Sequence, residues 1–181
     1  MRILRNRKSR ISAILGLALV ALTPVSKGNV PSEARELSFY HTHTGKRLEV
    51  TYRKDGKYVP AALNEINNFL SDFRTGDIVD IDPELLDFIY DVRAKLDSDA
   101  TYQVVSAYRS PKTNEMLRGK SESSGVAKKS QHMLGKAIDV RLEGVDTKLL
   151  RDTALAMKRG GVGYYEASDF VHMDTARVRS W

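Results

Sequence analysis

Alternation between apolar and polar positions is clearest in the second half of the chain. From Lys136 onward, Ile138, Val140 and Leu142 fall on one side of a period-two pattern and Ala137, Asp139 and Arg141 on the other, which predicts a strand with Asp139 turned away from the core. Val162–Tyr165 and Phe170–Asp174 read as two more short strands, joined by residues 166–169. In the second, Phe170, His172 and Asp174 alternate with Val171 and Met173, so His172 faces a cleft while its neighbours enter the core. Earlier in the chain, Leu37–His43 and Arg47–Tyr52 flank Thr44-Gly45 and predict a hairpin, Asp55-Gly56 marks a further turn, and Thr101–Ala107 has the β-branched and aromatic character of a strand.

Three-to-four spacing predicts the helices. Leu63, Ile66, Leu70 and Phe73 follow Pro60 and place one helix up to about Thr75-Gly76. Asp82-Pro83 opens a second, with Leu85, Ile89, Val92 and Leu96 on its apolar stripe, and the acidic residues of both helices are expected on solvated faces. Ser110-Pro111 begins a short helix that ends before Gly119, and Asp146 or Thr147 begins another that runs to Arg159 and stops at Gly160-Gly161. Residues 120–129, rich in serine and charge, form a loop. The pattern as a whole predicts an α+β domain over residues 37–181, with a small antiparallel sheet flanked by helices.

The first 36 residues differ. Arg2, Arg5, Arg7, Lys8 and Arg10 precede an apolar run from Ile11 to Leu22, which is short for a transmembrane helix and suits an export signal. No clean processing site follows. Val30-Pro31-Ser32 is a weak one, so an uncleaved membrane anchor stays open beside a cleaved leader. The formal charge of +6 belongs to this segment: without residues 1–10, the 29 basic residues become 24 against 23 acidic ones. A nucleic-acid partner therefore loses its main support. The expected destination is the periplasm or cell-wall space. The chain has no cysteine, so neither disulfides nor thiolate ligands contribute and any metal is held by nitrogen and oxygen.

Candidate ligands stand in two segments, His132 and Asp139 around Gly135, and His172 in the last long strand. Two histidines and a carboxylate leave one position of a tetrahedral zinc ion open, as catalytic zinc requires. Calcium or magnesium wants more oxygens, whereas a facial-triad iron uses the same donor types. His41 and His43 share a strand face by spacing but lack a third donor, and are expected to be ordinary exposed histidines beside a turn. Arg109, at a strand-to-helix junction, can hold a carboxylate, polarise a peptide carbonyl, or form an ordinary ion pair.

Ser130-x-His132-x-x-Gly135-x-Ala137-x-Asp139, with Ser106-x-Tyr108-Arg109-Ser110 upstream and Phe170-Val171-His172-x-Asp174 downstream, resembles the zinc peptidases that share the fold of D-Ala-D-Ala metallopeptidases and the Hedgehog domain. The resemblance is nearest to the exported bacterial branch that acts as peptidoglycan endopeptidases. It implies zinc on His132, Asp139 and His172, substrate contact by Arg109 with Tyr108 and Ser130 beside it, and peptide stems of peptidoglycan as substrate, with links between two diaminopimelate residues among the candidates. A D,D- or L,D-carboxypeptidase and a non-catalytic zinc-stabilised wall-binding module are the alternatives. The pattern departs from the better-known relatives at the general base: their acidic residue lies three positions before the last histidine, often with tryptophan beside that histidine, and here those places hold Asp169 and Val171. Asp169 is expected as the base because its spacing matches. Asp174 is the rival, either as base or as partner of a ligand histidine, and Glu166 comes third. In the implied reaction, water activated at the zinc attacks the peptide carbonyl, the aspartate passes the proton to the leaving amine, and Arg109 helps stabilise the oxyanion.

Overall fold

A computed structural model describes residues 34–120 and 125–181. The expected leader, its apolar run and its processing point lie outside the described residues. Strand β1 (Ala34–His41) starts within the segment expected as linker and forms the predicted hairpin with β2 (Arg47–Lys54), which continues through Asp55-Gly56 into β3 (Lys57–Tyr58). Helices α1 (Pro60–Phe69) and α2 (Pro83–Lys95) follow, then β4 (Tyr102–Ser106), α3 (Pro111–Arg118), β5 (Ala137–Leu142), α4 (Thr147–Met157), β6 (Gly161–Tyr165), β7 (Phe170–Asp174) and β8 (Arg179–Ser180).

The eight strands among the described residues join one sheet in the order β3-β2-β1-β4-β5-β7-β6-β8. The α+β expectation holds, with a larger and less uniform sheet than expected: β1–β4 and β6–β8 pair in parallel and the other neighbours antiparallel. Helices α1, α2 and α4 pack on one face. There Leu37, Phe39, Tyr52, Val104, Ile138, Val140, Val171 and Met173 meet Ile66, Leu85, Phe88, Ile89, Leu150 and Ala154, all essentially inaccessible to solvent. Each large side chain buried this way contributes about 1.5–3 kcal/mol, so this face is what holds the sheet flat against its helices. The opposite face of β5, β7 and β6 is left for the polar residues of the alternation.

Local chemistry moves two helix ends from where the pattern put them. Helix α1 stops at Phe69, because the Asp72 carbonyl collects the N–H groups of Thr75 and Gly76 while its carboxylate accepts those of Arg74 and Ser110, turning the chain toward α3. Helix α4 ends at Met157 with Lys158 left-handed at φ 52°, before the glycines expected to stop it. The helix acids are not all solvated either. Asp87 is buried and accepts from Tyr52 and Tyr58 hydroxyls (2.8 and 2.7 Å) and from Arg35 and Arg53, tying α2 to the hairpin. His41, expected on the surface, is buried edge-on to Phe69 and Phe73, whereas His43 is exposed and stacks on Phe73 at 4.4 Å.

Candidate active site

His132 is presented by a single 3-10 turn, Gln131–Leu134. Ser130 opens the turn by accepting the His132 backbone N–H at its Oγ, 3.3 Å away. Gly135 closes it at φ 67°, and a Cβ there would stand 2.4 Å from the Asp80 carbonyl oxygen, so the position needs glycine both for its backbone and for the close approach. The Gly135 carbonyl accepts the Asp82 N–H at 3.0 Å, which fixes the turn to the start of α2.

Asp139 and His172 come from neighbouring strands and face each other directly across the β5–β7 ladder. Such pairs project from one sheet face at adjacent positions, as the alternation required. The partners behind each imidazole assign its proton. His132 Nδ1 donates to the Ala107 carbonyl at 2.6 Å, and His172 Nε2 donates to Asp174 Oδ2 at 2.9 Å. In the neutral form of each ring this leaves the lone pairs on His132 Nε2 and His172 Nδ1. These nitrogens lie 3.2 Å apart and 3.2 and 2.8 Å from Asp139 Oδ1.

With both imidazoles in that tautomer, three lone-pair atoms turn on one point, and His132, Asp139 and His172 could together hold a metal ion. Tetrahedral zinc with bonds of 2.0–2.1 Å separates its ligands by about 3.3 Å, close to this spacing. Among the described residues this is the only such group of three metal-capable side chains. Burial lowers the pKa of His132. Burial also opposes ionisation of Asp139, but the adjoining imidazoles, His132 first, hold it well below the usual carboxylate range. For His172 burial is outweighed by its bonds to Asp139 and Asp174, and its pKa is raised.

Arg109 reaches the same group from the β4–α3 junction. Its Nη2 donates to Asp139 Oδ2 at 2.6 Å and its Nε to Ser106 Oγ at 2.9 Å. A bulge between Val104 and Ser106 sets Ser106 opposite Asp139, where strict alternation would have turned it to the core. The guanidinium thus occupies the carboxylate oxygen that the histidines leave. The cleft in front of the group is lined also by Lys129, Gln131, Tyr165, Phe170 and Trp181, and Asp139 is the only carboxylate among its described lining residues.

Of the other expected site residues, only Ser130 lines the cleft. Asp169 is left-handed at φ 51°, and its side chain accepts the Thr147 hydroxyl at 2.8 Å beside Arg141, so the turn re-aims it away from His172. Glu166 is exposed outside the cleft. Asp174 is fully buried behind His172, which makes it the histidine's partner and closes it to water. Tyr108 packs against the core and does not line the cleft, whereas Ser130 does. Arg179 and Trp181 were not legible as site residues, although Gly161-x-Gly163 on one face of a strand was a signal of close approach.

Comparison with known proteins identifies the family. Residues 29–181 match the family described as peptidoglycan L,D-endopeptidase MepK. The peptidoglycan L,D-endopeptidases MepK of Escherichia coli K12 and of Shigella flexneri are each 38% identical to the chain over 179 residues, covering 97% of both partners. The probable peptidoglycan L,D-endopeptidase MepK of Haemophilus influenzae Rd is 36% identical over 168 residues, 92% of this chain and 89% of its own. No solved structure matches the chain significantly. With a match over residues 29–181 that spans the whole sheet and the three converging side chains, the chain belongs to the peptidoglycan L,D-endopeptidase MepK family.

Proposed function

We propose that the chain is a zinc-dependent peptidoglycan endopeptidase that hydrolyses peptide cross-links, including those between two diaminopimelate residues, after export to the periplasm or cell-wall space. The observation that carries this is the convergence of His132 Nε2, His172 Nδ1 and Asp139 Oδ1, three acceptors with their outer partners already fixed. The names of the relatives supply the substrate class.

His132, Asp139 and His172 hold the zinc ion. When bound there, zinc supplies Lewis acidity and brings the pKa of water toward about 7. The Ala107 carbonyl and Asp174 keep both imidazoles in the ligating tautomer. Arg109 holds Asp139 by one oxygen and lines the cleft, so its positive charge is available to a peptide carbonyl oxygen that gains charge during attack. Tyr165 and Phe170 stack at 4.6 Å and form an apolar wall for the peptide, while Lys129 adds a cation at the rim for stem carboxylates. No helix among the described residues is long and apolar enough to cross a membrane.

The test is digestion of purified muropeptides by the zinc-loaded chain, with products resolved by mass. Cross-linked dimers should fall to monomers, and a chelator should stop the reaction. Loss of one terminal residue from monomers would instead identify a carboxypeptidase, and tight wall binding without turnover a binding module. Full activity and unchanged zinc content in His132→Ala would end the zinc assignment.

A further inference from the structure

The last strand supplies a side chain that the three ligands do not explain. Arg179 forks onto Asp174, with Nη1 donating to Oδ1 at 3.0 Å and Nη2 to Oδ2 at 2.6 Å. Oδ2 also receives the His172 Nε2 proton, and Oδ1 the backbone N–H groups of Gly161 and Ala176 at 3.1 and 2.9 Å. All four partners converge on a carboxylate with no exposed surface. A bidentate arginine fixes the plane of a carboxylate as a single point charge cannot. The line Arg179–Asp174–His172 therefore ends at the nitrogen that faces Asp139 and His132.

The fold has made room for this arm. Strand β8 pairs in parallel with β6, setting Arg179 beside Gly161. A Cβ on Gly161 would stand 2.3 Å from Arg179 Nη1 and 2.6 Å from Asp174 Oδ2, and one on Gly163 would stand 2.6 Å from the Trp181 ring. The two glycines share a strand face, and the trough they leave holds both side chains. Trp181 covers the guanidinium at 4.8 Å, lies 5.2 Å from the His172 ring, and is anchored by its Nε1 donating to the Tyr165 hydroxyl.

We infer that Arg179 is a positioning residue of the metal centre, acting on His172 through the orientation of Asp174. The inference rests on the zinc reading of His132, Asp139 and His172. Outer partners of ligating histidines typically change metal affinity by about 10–100-fold when removed, and Arg179 should act within that range because its whole effect passes through Asp174.

Zinc affinity is measured by chelator competition on the purified chain, alongside kcat and KM on cross-linked muropeptides and thermal unfolding of the metal-free protein. Arg179→Ala should weaken zinc binding by about 10-fold or more and lower kcat with little change in KM. Arg179→Lys should recover only part of that loss, because lysine cannot fork, and it carries the test if the alanine variant does not fold. The double variant Arg179→Ala/Asp174→Asn should bind zinc no more weakly than Asp174→Asn alone, since both act through one path. Wild-type affinity in Arg179→Lys or Arg179→Ala, or additive losses in the double variant, overturns the inference. His132→Ala separates the two assignments. If it loses zinc while the Arg179 variants do not, only the positioning role falls, and if the wild-type chain binds no zinc, the reading beneath it falls.

Discussion

Asp174 stands behind His172: its Oδ2 accepts the Nε2 proton at 2.9 Å, while Nδ1 on the other side of the ring faces Asp139 at 2.8 Å. This order separates an orienting role from that of a base. Asp174→Asn keeps the shape but presents an amide N–H to donors already pointing at it. Zinc affinity should fall by about 10–100-fold, with activity falling in step and recovering at high zinc. Unchanged zinc content with a collapsed kcat would instead mark Asp174 as the proton acceptor. Chelator competition and activity titrated against zinc distinguish the two.

Asp169 has the spacing of a general base but not the place. Its carboxylate is two-thirds exposed and bonded to Thr147. Asp169→Asn should leave kcat/KM within about two-fold of wild type, as exposed substitutions outside a site usually do. A loss of about 100-fold in steady-state hydrolysis would return Asp169 to the mechanism.

The contrast between Asp139 and Asp169 shows what the sequence could convey. Asp139, His172 and the core residues around them follow from local alternation, which survives in the structure because one sheet face must be buried. Gly135 was readable for the same reason, as a break between turn and strand. The direction of Asp169 depends on one left-handed residue, and the charge of buried Asp174 is met by an arginine five residues on, which reaches it from a strand two ladders away. Buried Asp87 was hidden because its four side-chain partners come from β1, β2 and β3, remote in the chain. Local period assigns a face; it does not say which distant side chain will satisfy a charge there.

Two glycines at similar dihedral angles separate backbone freedom from close approach. Gly135 and Gly144 have φ of 67° and 73°, but a Cβ meets the Asp80 carbonyl at the first and open space at the second. Gly144→Ala should cost about 1 kcal/mol, the conformational part alone. Gly135→Ala should cost at least about 2–3 kcal/mol and also weaken zinc binding, because the turn that must shift carries His132. Equal losses in denaturant unfolding of the two variants would show that the Asp80 contact relaxes freely.

Acid stability should report Asp72, whose carboxylate is buried between the end of α1 and the start of α3. Burial opposes its ionisation, but hydrogen bonds from Thr113, Ser110 and the Arg74 backbone outweigh it and lower the pKa to about 2. The unfolded value is about 4, so the folded chain prefers the ionised form. Its stabilising contribution is therefore complete above about pH 4 and is lost as pH falls through about 2. Denaturant unfolding of the metal-free protein between those limits should show stability falling with acid, and the slope should be shallower in Asp72→Asn, which cannot titrate. Parallel slopes in the two proteins would mean that other carboxylates carry the whole acid response and that the Asp72 bonds contribute no pH-dependent stability.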